Sequence, residues 1–112
     1  MAEIAFALPV LPGQEQFDRE TLEELQGSRR GEYEAALRDA GITRHSVWHQ
    51  EAPDGTTIAV VYMEAADEAG VASFGSSEAP LNRWFRDQMK QVHGVDISQP
   101  GPQPKKVHDV QL

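Results

Sequence analysis

No cysteine occurs among the 112 residues. Disulfides, thiolate nucleophiles and cysteine-bound metals are therefore excluded. Basic residues are scarce: 10 lysines and arginines stand against 18 aspartates and glutamates, a net charge of −8. A nucleic-acid binder displaces counterions from phosphates with a basic surface. This chain offers only Arg29-Arg30 and Lys105-Lys106, so neither nucleic acid nor an anionic membrane is an expected partner. No apolar run approaches the ~20 residues that span a bilayer. Residues 1–13, MAEIAFALPVLPG, lack a basic start and are interrupted by Pro9 and Pro12. They do not read as a secretory signal, and the expected location is the cytoplasm. There is no phosphate loop, no dinucleotide fingerprint and no Gly-x-Ser-x-Gly elbow. No bound cofactor or metal is expected.

What is present suits one globular domain, residues 1–112. The densest signal is residues 44–64, RHSVWHQEAPDGTTIAVVYME. Pro53-Asp54-Gly55 is a turn, and its flanks are rich in β-branched and aromatic residues, which predicts a hairpin. Upstream, Ile4, Phe6, Leu8 and Val10 alternate with Glu3, Ala5, Ala7 and Pro9, a strand with a large and a small face. Pro9 places that strand at an edge or ends it. Residues 14–40 read as helix, broken near Gly27 and Gly31. Asp67 is a cap candidate for a short helix over residues 68–74. Pro80 suits the first turn of the next helix. Its apolar stripe runs through Leu81, Trp84, Phe85, Met89 and Val92, and Gly94 ends it. After the proline-rich residues 98–104, residues 105–112 form the last candidate strand.

The order βαββαβ is the ferredoxin-like split βαβ pattern. It predicts an α+β fold: a four-stranded antiparallel sheet with both helical layers on one face. Yet strand three carries large groups on both faces: Ile58, Val60 and Tyr62 on one, Val61 and Met63 on the other. A solvated face should be polar. A homodimer through the sheet face covers it.

The pieces FALPVLPGQ, RDAGITRHSVWHQEAPDG, VVYMEAAD and RWFRDQMKQVHGVD resemble the dimeric α+β barrel superfamily. Within it the resemblance is nearest to a small bacterial family related to the antibiotic-biosynthesis monooxygenases. The resemblance implies the dimeric barrel and a cavity between sheet and helices. It implies no single reaction, because monooxygenases, polyketide-cyclase-like proteins, stress-responsive proteins and sugar mutarotases share this fold. No relative's active residues carry over onto this chain.

A hairpin centred between Asp54 and Gly55 sets His49 opposite Val60, Val47 opposite Tyr62 and His45 opposite Glu64. Opposed residues share a face, so His45, His49, Tyr62 and Glu64 line one side. Trp48 lies on the other, where its ring can close a pocket. His45 and His49 are ~13 Å apart along a strand, too far to share an ion. A carboxylate beside a histidine raises its pKa and orients the ring, so His45 and Glu64 are the catalytic candidates, as a general acid/base pair. The plainer reading is a cross-strand ion pair. Trp48, His49, Tyr62 and Trp84 are the substrate-binding candidates, against plain packing for His49, Tyr62 and Trp84. Two functions fit. One is a small cofactor-free enzyme, a monooxygenase, cyclase or isomerase, on an aromatic or carbonyl-containing metabolite. The other is a non-catalytic dimeric protein of ligand-binding or stress type.

Overall fold

The structure is a computed structural model that describes all 112 residues. Strand β1 (Ala2–Val10) leads through Pro12-Gly13 into helices α1 (Glu15–Gln26) and α2 (Arg30–Asp39). Gly41 then turns the chain in the left-handed region, where glycine lacks the clash of a Cβ. Strands β2 (Ile42–Glu51) and β3 (Thr57–Ala65) follow, then α3 (Glu68–Ser76) and α4 (Pro80–His93). The sheet is antiparallel, three-stranded, in the order β1-β3-β2.

Local chemistry explains the element ends. The helical stretch breaks at Gly27, as its glycine predicts. The side chain of Asp67 accepts the Gly70 N–H at 2.9 Å and so caps α3. Pro80 opens α4, and Gly94 closes it in the left-handed conformation. Residues 105–112 differ from expectation. They are exposed and form no strand, because no neighbouring strand lies beside them to complete a ladder. The fourth strand of the expected sheet is therefore missing from the single chain.

The helices cover one face of the sheet. Ile42, Val61, Met63 and Ala65 pack there against Leu25, Phe74, Leu81, Phe85 and Met89. The larger face of β1, Ile4, Phe6 and Leu8, turns the same way and is half-buried. The opposite face is uncovered and carries Trp48, 56% exposed, and Ile58, 39% exposed.

The hairpin register differs from the sequence expectation by one residue. Ala52 pairs with Thr56 through an N–H to carbonyl bond of 2.8 Å, so the loop holds three residues, Pro53, Asp54 and Gly55. Gly55 takes the left-handed conformation, the usual last position of such a loop. Asp54 Oδ1 accepts from Thr56 N–H and hydroxyl at 3.0 and 2.7 Å. Consequently His45 lies opposite Met63, Val47 opposite Val61 and His49 opposite Ala59. A slip of one residue exchanges the faces of one strand relative to its partner.

Candidate functional site

His45 and His49 point into the layer between sheet and helices, while Tyr62 and Glu64 belong to the open face. The expected His45–Glu64 pair does not form. Glu64 stands opposite Arg44 instead. Tyr62 donates its hydroxyl toward Glu64 Oε2 and Glu3 Oε2, each at 2.8 Å. These contacts, to Glu64 first, raise its pKa. Trp48 is on the open face as well. Trp84 packs at the edge of the core, with the Arg29 guanidinium 4.0 Å from the centre of its ring. The four substrate-binding candidates are thus split between sites and do not converge.

The two histidines have separate partners. His45 Nδ1 lies 2.6 Å from the Tyr33 hydroxyl, and the ring meets Phe85 edge-on at 6.3 Å. Burial pushes the His45 pKa down to about 4. This reverses the expected rise, because the Glu64 carboxylate that was to raise it is on the other face. Burial also pushes the Tyr33 phenol up to about 12. Near neutral pH both groups are uncharged, and the pair is a neutral, part-buried hydrogen bond.

His49 is different. Its Nε2 donates to Asp18 Oδ2 at 2.7 Å. Asp18 sits on α1 one turn before Thr21 and two turns before Leu25, inside the buried stripe, and is 1% exposed. Its second oxygen, Oδ1, has no hydrogen-bond partner. A buried carboxylate with an idle oxygen is costly. His49 lines a depression of about 300 Å³ together with Glu15, Arg19, Glu51, Gly55 and Thr57, and no hydrophobic residue takes part. Sequence reasoning proposed His49 and missed Asp18. The available signal was an acid at helical spacing from Thr21 and Leu25.

An aspartate behind a histidine fixes the tautomer and stabilises the imidazolium once a proton is taken up. Nε2–H is committed to Asp18, which leaves Nδ1 as the ring nitrogen that carries a free lone pair in the neutral imidazole. Arg19 offers hydrogen-bond donors, and Glu15 and Glu51 offer acceptors. No three histidine, aspartate or glutamate side chains are gathered closely enough to ligate an ion.

A second depression, about 240 Å³, lies among α2, α3 and the start of α4, lined by residues such as Ala36, Asp39, Phe74 and Asn82. Asn82 there donates to the Phe74 carbonyl at 2.9 Å, which ties α4 to the end of α3. It contains no acid–base pair.

No family model and no curated protein matches the chain. Among solved structures, the fold is similar to that of an L-rhamnose mutarotase from Formosa agariphila. The TM-score is 0.68 at 17% identity, over 99% of this chain and 100% of that one. At that identity the likeness concerns the fold alone.

Proposed function

We propose that this chain is an isomerase-type acid–base enzyme acting on a small, hydroxyl-rich carbonyl compound or its cyclic hemiacetal. The observation that carries it is the His49–Asp18 pair, 2.7 Å apart, at a depression with wholly polar walls. Such walls offer hydrogen-bond partners to a polyol and no apolar surface to the aromatic metabolite that the sequence left open. Ring opening and closing of a hemiacetal needs one proton removed from a hydroxyl and one delivered to a ring oxygen, and no redox partner. His49 Nδ1 takes the hydroxyl proton, the imidazolium so formed delivers it to the ring oxygen, and ring closure runs the two transfers in reverse. Asp18 acts through His49 and is a positioning residue. The mutarotase fold likeness agrees with this reaction type.

The reading includes a ferredoxin-like dimeric barrel. Trp48, Ile58, Val60 and Tyr62 lie on one uncovered sheet face, and two copies of that face satisfy each other about a two-fold axis. Trp48 and Tyr62 then serve the interface rather than the substrate.

The test is the imidazole region of ¹H–¹⁵N NMR spectra, where four histidines are to be assigned. Titration with a panel of reducing sugars is expected to shift the His49 ring nitrogens selectively. Shifts confined to His45, or elicited by aromatic carbonyl compounds and not by sugars, would overturn the assignment.

A further inference from the structure

The depression among α2, α3 and the start of α4 has unused hydrogen-bonding groups on its walls. One wall is the first turn of α4. Its N-cap residue, Ala79, has no side-chain oxygen, and no other side chain caps the helix. Pro80 lacks an N–H. The helical ladder begins with Arg83 N–H, which bonds to the Ala79 carbonyl at 3.0 Å. The N–H groups of Leu81 and Asn82 precede it and have no backbone partner. The Ser77 hydroxyl does not serve them, since its Oγ accepts the Ala79 N–H at 3.2 Å. No acid stands in the first turn, so the positive end of the helix dipole is not balanced from within α4.

Asn82 is a second and independent observation. It is 3% exposed. The Phe74 carbonyl, in the last turn of α3, can only accept, so it fixes the amide with Nδ2 facing it, at 2.9 Å. Oδ1 then points away and accepts no bond within the fold. Asp18 Oδ1 is the only side-chain atom both sealed from solvent and unpaired, so Asn82 Oδ1 meets open space. Asn82 lines the depression, and its oxygen opens there. Arg86 holds this frame, donating to the Gly75 carbonyl at 3.0 Å and to the Ser77 carbonyl.

The opposite wall is α2. Glu32 is engaged there with Arg29 at 3.7 Å, which leaves Asp39 as the carboxylate available to a cation. Ala36, Phe74 and Leu81 add apolar surface. Two N–H donors on one side, with an amide oxygen and a carboxylate beside them, match a molecule with an anionic and a cationic end. A volume of about 240 Å³ lies below the range of drug-sized pockets, so the molecule is small.

We infer that this depression binds a free α-amino acid with a small aliphatic side chain. The carboxylate accepts from the Leu81 and Asn82 N–H groups at the start of α4. The ammonium donates to Asn82 Oδ1 and to Asp39, and the side chain lies against Ala36, Phe74 and Leu81. The site shares no lining residue with the depression at His49.

The test uses L-valine and two analogues on the full chain. Isovalerate keeps the carboxylate and lacks the amine. Isobutylamine keeps the amine and lacks the carboxylate. In ¹H–¹⁵N spectra, valine is expected to shift the Leu81 and Asn82 backbone amides and the Asn82 side-chain amide saturably, with the His49 ring unmoved. Each analogue should bind at least about tenfold more weakly, the effect of one lost charge-assisted contact. Asp39 is exposed, so Asp39→Asn keeps the fold. It should weaken valine by about tenfold and leave isovalerate unchanged. No shift at these amides, or an analogue that binds as well as valine, would overturn the inference. Undiminished valine affinity in Asp39→Asn would do the same.

Discussion

Asp18→Asn is expected to reduce turnover by about 10²–10⁴-fold, the usual contribution of positioned acid–base catalysis, while the variant melts at or above the wild-type temperature. The two effects have one origin. Asp18 is 1% exposed and its Oδ1 has no partner. A carboxylate with an idle oxygen is costly to bury, and a neutral amide of the same shape is less so. The carboxamide fills the same volume. Its oxygen can still receive the His49 Nε2–H, yet it no longer balances an imidazolium. Function declines where stability does not, the pattern expected when a local rule is broken at a working site. Thermal melts and turnover, measured on the same preparations, check this. A variant that is strongly destabilised but fully active would make Asp18 a structural residue.

The second large effect is acid sensitivity through His45. Its pKa is about 6.5 in the unfolded chain and about 4 in the fold, because burial disfavours the imidazolium. The unfolded state therefore binds a proton that the native state refuses. The resulting stability is fully present above pH 6.5 and is lost as the pH falls toward 4. That gap corresponds to at most about 3 kcal/mol. His45→Gln is expected to flatten the loss between those pH values, as followed by urea unfolding at several pH values. An unchanged pH dependence in His45→Gln would mean that another group governs acid unfolding. Carboxylates titrate mainly in the lower part of this window, so the difference between wild type and His45→Gln in its upper part reports on His45.

The elements of this fold were largely readable from local chemistry. The break at Gly27, the Asp67 cap, Pro80 at the start of α4 and the two-faced β1 each follow from one or two residues. The site was less readable, for two physical reasons. The hairpin turn uses three residues rather than two. That difference of one residue moves His45 and His49 to the face opposite Tyr62 and Glu64, with no change in composition. Asp18 pairs with His49 across 31 positions of sequence, and an acid within a helix ordinarily faces water. Residues 105–112 carry a strand pattern but find no partner within the chain. A strand exists only when its ladder is completed, and sequence pattern does not supply the partner.

The central claim is that His49, held by Asp18, moves protons on a hydroxyl-rich hemiacetal. Saturation-transfer NMR measures it most directly, by following the interconversion of anomers in a panel of reducing sugars. With at least one sugar, catalytic amounts of the wild-type protein should accelerate the exchange well above the spontaneous rate. His49→Gln should abolish that acceleration, and His45→Gln at neutral pH should preserve it. No acceleration with any sugar, or full acceleration in His49→Gln, would contradict the account.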